Sequence, residues 1–282
     1  LVPWSTDFTY SDWSPTKDFC IMKYEAKINW NDNWNTTYNS SFIAESRPSW
    51  TPWVKIQQQQ AITACNNLWA WYHLITNNEW MTIARNIESN AQNWADGTIW
   101  SLVSAWWGLF RWNVNINNSA SCWSNSVLDW NTVWNNCNNW SWRNKRMHIL
   151  SNWSEIWDLS WNVWEHVNGT NNISSTTWEV TNGNVCSWNN WYSWIGNDGY
   201  TSCNFTNISP TFYSKINHWP AWNYNANHGV WRIYSSNSNN IVFIRGSGWR
   251  NTTDAGVFWL DLSAHFTYSY DNLGFRCAYT PN

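Results

Sequence analysis

The stretch "WYHLITNNEWMTIARNIES", residues 71–89, decides how this chain is read. Thr76 is followed three residues later by Glu79, a capping box in which each residue satisfies a backbone N–H that the first helical turn leaves unpaired. Trp80, Ile83, Ala84 and Ile87 then recur at the spacing of one helical face, which predicts an amphipathic helix. Upstream, "VKIQQQQAITACNNL" (54–68) places Ile56, Gln60, Ala64 and Leu68 at the same spacing and predicts an earlier helix from about Gln57. "DFCIMKYEAKI", Asp18 to Ile28, reads as an early strand, and the Pro-flanked "ESRPSWTPW" (45–53) reads as a loop.

Beyond these helices, from about residue 95 to 240, Asn, Ser, Gly and Trp dominate and periodicity is weak. One ordered island, "HILSNWSEIWDLSWNVWEHV" (148–167), interrupts that stretch. The chain closes with three strand-like segments, "NIVFIRGSGW" (240–249), "AGVFWLDLS" (255–263) and "LGFRCAY" (273–279). No tandem repeat and no linker divides the chain, so residues 1–282 are expected to form one domain.

Composition excludes several functions. A net charge of −3 and a pI near 6.0 leave no basic footprint for nucleic acid, the densest cationic cluster being "RNKR" at 143–146. No apolar run approaches the ~20 residues of a membrane helix. The chain begins at Leu1 rather than Met, and the expectation is a fragment whose targeting segment is missing. Seven Cys occur without any C-x-x-C pair, which argues against a zinc ribbon or a thioredoxin-type motif. Cys122/Cys137 and Cys186/Cys203 bracket polar loops that a disulfide would brace, each worth ~3 kcal/mol in the chain-entropy model. Disulfides there imply an oxidising, extracytoplasmic setting, secreted or at the cell surface; free buried thiols are the alternative.

The oddest compositional feature is 32 Trp against 11 Gly. Trp is ordinarily scarce and mostly buried, yet here it sits among turn formers, as in "NWNDNWNT" (29–36) and "HWPAWNYN" (218–225). Turns use Gly because it reaches positive φ without a steric penalty.

Three segments together resemble the formylglycine-generating enzymes, or sulfatase-modifying factors. "WYHLITNNEWMTIAR" (71–85) is similar to that family's G-x-x-L-x-T-x-x-E-W-x-x-A-x-R helix. "IWDLSWNVWEHV" (156–167) is similar to its D-x-x-G-N-V-W-E-W motif, and "IRGSGW…LGFRCA" (244–278) to its R-G-G-S-W…G-F-R-C-A ending. Order and spacing agree over about residues 17–279. The resemblance implies an α+β, modified C-type-lectin-like fold: two short helices, small antiparallel sheets and long irregular loops. It also pairs Cys65 with Cys277, leaving Cys20 odd; Cys20–Cys277 is the competing pairing.

Placed on those motifs, Trp161 and Trp71 occupy glycine positions. The expectation is that most Trp are UGA codons that the source organism reads as Gly. Trp53, Trp80, Trp94, Trp157, Trp164, Trp178, Trp194 and Trp259 look genuine, with Trp249 undecided. Converting the rest brings Gly to about 35, sensible for a loop-rich domain. A truly Trp-rich, sugar-stacking surface is the alternative.

The family's copper-binding Cys pair is absent: "RNTTDAGVF" (250–258) has Asn251 and Gly256 at those places. The six His (His73, His148, His166, His218, His228 and His265) show no H-x-x-x-H-x-E spacing and read as surface or loop residues. Neither copper nor iron is therefore expected, and the enzymatic reading is disfavoured. Calcium is implied by the resemblance at "SWNVWE", through the carbonyls of Trp161 and Val163 and the side chains of Asn162 and Glu165. The alternative is that these side chains only satisfy turn N–H groups.

The segment 249–271 carries the densest recognition chemistry. In "VFWLDLS", Phe258, Leu260 and Leu262 alternate with Trp259, Asp261 and Ser263, placing the two sets on opposite strand faces. "HFTYSYD" then adds His265, Phe266, Tyr268, Tyr270 and Asp271, and Arg250, Asn251 and Thr253 precede them. Rigid amphipathic rings beside adaptable polar groups suit binding. The layout also resembles the variable proteins of diversity-generating retroelements, which vary residues just before a G-F-R-C-A-type ending. The expectation is a non-catalytic binding domain for a protein or glycan ligand. A metal-dependent oxidase of the formylglycine-generating superfamily and a structural cell-surface or pilus-associated domain are the alternatives.

Overall fold

The computed structural model describes residues 1–3, 18–33, 36–48, 51–94, 97–99, 109–110, 146–160, 162–171, 233–235, 241–248 and 256–281. Cys122, Cys137, Cys186 and Cys203, and with them both loop disulfides, lie outside the described residues.

Helix α2 spans Asn77–Glu88 and begins as its capping box requires: Glu79 N–H donates to Thr76 Oγ1 at 3.2 Å, and Thr76 N–H to Glu79 Oε2 at 2.8 Å. Its apolar face, Trp80, Met81, Ile83, Ala84 and Ile87, is fully buried at the centre of the main core. Helix α1 covers Gln58–Asn66. Its inward face is Gln58, Ala61, Ala64 and Cys65 rather than the row through Gln60. Gln60 instead turns back to accept the Gln57 N–H at 2.9 Å; a side chain that caps the first turn is withdrawn from the packed face.

The early apolar segment forms two strands, not one: β1 (Cys20–Ile21) and β2 (Ala26–Ile28), with a bend at Lys23 and Tyr24 between them. Strand β2 pairs with β3 (Ala44–Ser46). Strand β4 (Tyr72–Leu74) and β1 flank β12 (Cys277–Tyr279) in a three-stranded antiparallel sheet. The island at 148–167 becomes a hairpin, β5 (Met147–Ile149) with β6 (Glu155–Trp157), and then the start of β7 (Trp164–Asn171).

A five-stranded sheet joins β7 to β8 (Ile233–Ser235), β9 (Ile241–Arg245), β10 (Leu260–Leu262) and β11 (Leu273–Phe275) in the order β11-β7-β9-β10-β8. It is mixed rather than purely antiparallel, because β11 runs parallel to β7 and β10 parallel to β8. Among the described residues, two α-helices with several small sheets make an α+β arrangement. A disulfide joins Cys65 on α1 to Cys277 on β12, clamping the last strand to the first helix, and Cys20 is a free thiol.

The "IRGSGW" turn leaving β9 is built by close approach. A Cβ at Gly246, where φ is +86°, would meet Leu159 O at 2.8 Å; one at Gly248 would meet Trp164 Cδ1 at 2.7 Å. Arg245, 2% exposed, donates to Asn77 Oδ1 and to Phe258 O, tying β9 to the start of α2 and to the turn before β10. Burial pushes its guanidinium down to about 9.

The ten Trp within the described residues fall into two sets. Trp53, Trp80, Trp94, Trp157 and Trp259 are buried and Trp164 is half-buried. Trp30, Trp69, Trp71 and Trp153 are exposed, by 94%, 75%, 52% and 73%. None of the first set has a positive φ, whereas Trp30, Trp71 and Trp153 do, at 58°, 75° and 67°.

Candidate functional site

Between β10 and β11 the backbone leaves the large sheet, turns over the surface and returns. Val242 N–H donates to Ala264 O at 2.8 Å, Tyr268 N–H to His265 O at 2.8 Å, and Lys55 N–H to Tyr270 O at 2.9 Å. These bonds hold the loop at its two ends and across its turn without using any aromatic side chain. His265, Phe266, Tyr268 and Tyr270 all face solvent, the last three 47%, 39% and 49% exposed. The rings associate in pairs, His265 with Phe266 and Tyr268 with Tyr270, each at 4.2 Å between centroids. His265 Nδ1 also lies 3.0 Å from Thr267 Oγ1. The result is a strip of apolar ring surface edged by hydroxyls and an imidazole.

The rest of the expected face is placed differently. Trp259 is 3% exposed and meets Trp164 edge-on at 5.5 Å, so it packs the interior and is not presented to a ligand. The reason lies in the backbone: the strand begins only at Leu260, after a turn closed by Trp259 N–H on Gly256 O at 3.0 Å. Strict alternation from Phe258 therefore does not apply. Asp261 accepts from Ser263 N–H at 2.7 Å and from its hydroxyl at 2.6 Å, so the two residues serve each other. Enclosure pushes the Asp261 carboxyl up to about 6 against the pull of those two donors. Asp271 is half-buried. Arg250, Asn251 and Thr253 lie outside the described residues.

The expected calcium loop is engaged in a buried charge layer. Both oxygens of Glu165 meet the Arg276 guanidinium, Nε at 2.6 Å and Nη2 at 2.5 Å, with both side chains shut off from solvent. Asn162, at φ +81°, donates its amide to Glu25 Oε2, and Val163 N–H donates to Glu25 Oε1 at 3.2 Å. Arg146 and Asp158 form a second two-point pair at 2.7 Å on each arm. Lys27 Nζ donates to Glu25 O at 3.0 Å and sits 3.7 Å from its carboxylate. Burial pushes Glu25 up to about 8, opposed by the Lys27 charge, and pushes the Lys27 amine down.

Both Glu165 oxygens are engaged by Arg276, and the Asn162 amide and Val163 N–H by Glu25, so this loop is bound into the charge layer. Trp161 lies outside the described residues. Among the described residues no three His, Cys, Asp or Glu side chains converge on a metal position. Sequence reasoning missed Glu25 and Lys27. Two opposite charges at i and i+2 within the apolar run "CIMKYEAKI" (20–28) were the available signal, because strand alternation points both toward one face.

The histidines also correct an expectation. His148 and His166 are fully buried strand residues, with Nε2 at 2.9 Å from Phe110 O and 3.0 Å from Ile56 O. Burial holds His166 down at about 4, hence neutral. His73, on β4, lies 2.8 Å from Glu79. Burial lowers its pKa, but the hydrogen bond and charge of Glu79 prevail and raise it. His265 is exposed, as expected, and His218 and His228 lie outside the described residues. Comparison with family models and with curated proteins finds no match for this chain.

Proposed function

We propose that this chain is a non-catalytic binding domain of extracytoplasmic location that presents His265, Phe266, Tyr268 and Tyr270 to a protein or glycan ligand. The observation that supports it most is the strip itself: four neighbouring rings turned to solvent on a loop that backbone bonds hold at its ends and across its turn. Large aromatic side chains left exposed together mark interaction surfaces more than stability. Tyr and Phe supply contact area at low conformational-entropy cost, and hydroxyls at the edge of the strip fit a polar partner. The Cys65–Cys277 disulfide suits an oxidising compartment. The modified C-type-lectin-like architecture suggested by the three motifs belongs to the same proposal, as does diversification of residues 249–271.

Calcium at Trp161, Asn162, Val163 and Glu165 belongs to the same reading, where it would share Glu165 with Arg276. A calcium titration that leaves the Tm unchanged removes calcium from the proposal.

The test is a glycan array and a displayed peptide library probed with the unaltered chain and with the Phe266→Ala/Tyr268→Ala/Tyr270→Ala variant. At least a tenfold loss of binding by the variant, at unchanged Tm, supports the reading. Equal binding by the two proteins overturns the assignment of the strip.

A further inference from the structure

Three Trp lie in connections whose backbone calls for glycine. In the first, Asn31 N–H closes a four-residue turn on Ile28 O at 3.1 Å, and Trp30, third in that turn, has φ 58°. In the second, Tyr72 N–H closes on Trp69 O at 3.1 Å, and Trp71, again third, has φ 75°. Positive φ at the third position is the type II requirement, met ordinarily by Gly and less often by Asn. The third connection is the β5–β6 hairpin. Trp153 N–H bonds to Leu150 O at 2.9 Å, and Trp153 follows the turn at φ 67°. That is the left-handed position of a hairpin loop, where Gly is the usual occupant.

A bulky side chain at positive φ is an outlier, and such strain persists where surrounding contacts over-determine the conformation. Burial compensates little at these three positions, because the residues are 94%, 52% and 73% exposed. Among the described residues, the other non-glycine residues at positive φ are Lys55, Asp158, Asn162 and Ser247. Of these, Asp158 is held by Arg146, and Asn162 by Glu25. The buried and half-buried Trp differ from these three in backbone conformation: none has positive φ. Trp80 donates its indole N–H to Val257 O at 2.7 Å, and Trp94 donates to Glu88 O at 2.8 Å.

We infer that residues 30, 71 and 153 are glycine in the polypeptide made by its own cell, and that the Trp there arises from UGA codons. UGA is one base from UGG, which encodes Trp, and one base from GGA, which encodes Gly, so a single reassigned codon interconverts the two readings without any mutation. Genuine UGG then accounts for Trp53, Trp80, Trp94, Trp157, Trp164 and Trp259. The exposed aromatic surface contracts accordingly. Without the three indoles, the large exposed aromatics among the described residues are Trp69 and the strip Phe266, Tyr268 and Tyr270.

Peptide mass spectrometry of the protein purified from its source cell, set beside the gene sequence, decides the matter. Peptides carrying Gly at 30, 71 and 153, over TGA codons, are the expected result; Trp in those peptides, or TGG in the gene, overturns the inference. A recombinant pair gives an independent reading. The Trp30→Gly/Trp71→Gly/Trp153→Gly variant is expected to melt roughly 5–10 °C above the Trp-bearing chain. An equal or lower Tm would show that the backbone does not demand glycine there.

Discussion

The buried layer around Glu165 and the surface strip at 265–270 solve opposite problems. In the layer, three acids (Glu25, Asp158, Glu165) meet three bases (Lys27, Arg146, Arg276), all with 8% exposure or less. Partners come from distant parts of the chain, as with Arg276 and Glu165 or Glu25 and Val163. Removing one member strands another in a medium that cannot solvate it. In the strip, the rings are exposed and pair with one another, and backbone bonds hold the loop at its ends. The layer is therefore the region most sensitive to loss of a single partner, and truncation in the strip should cost the fold little.

The sharpest way to break this contrast is Arg276→Ala, which leaves Glu165 buried without its partner. A loss of about 3–5 kcal/mol is expected in urea denaturation; a loss below 1 kcal/mol (roughly the surface-pair scale) would mean that the layer tolerates unpaired charge. Next comes pH. His166 titrates at about 4 in the fold against an ordinary 6.5, so its neutral form is the folded one. Its contribution is present above pH 6.5 and is lost as pH falls toward 4, by up to about 3 kcal/mol. Stability measured across that range should fall less steeply in His166→Asn than in the unaltered chain.

Thr76→Ala removes one arm of the α2 capping box and should cost about 1 kcal/mol by the same denaturation assay. The smallest effect is expected on the strip. Phe266→Ala, Tyr268→Ala and Tyr270→Ala should each shift stability by no more than about 0.5 kcal/mol. A larger loss would show that the rings hold the fold together, and the division between layer and strip would fail.

Legibility in the sequence followed the range of the interaction. Helix α2 was readable because its cap, Thr76 with Glu79, and its buried face fall within twelve residues of one another. Helix α1 was located to within a residue, but its face was misjudged, because Gln60 was free to cap or to pack and only the fold decides which. Trp259 was assigned to the surface by alternation, and the turn at Gly256 removed the premise. Cys65–Cys277, separated by 212 residues, was reached by resemblance rather than by local pattern. Of the segment 249–271, the part readable without a fold was its density of rings at 265–270, since composition needs no partner to be seen.

By itself, the sequence determined where α2 starts, which Trp have the company of turn formers, and that the aromatic density lies near the C-terminus. Capping, periodicity and composition are local properties, and their energies act within a few residues. Tertiary structure alone decided that Glu165 faces Arg276, that Glu25 and Lys27 are interior, and that Trp259 packs on Trp164 while its neighbours at 265–270 meet water. Burial depends on what the rest of the chain places alongside a residue, and a charge or an indole takes its role from that neighbour.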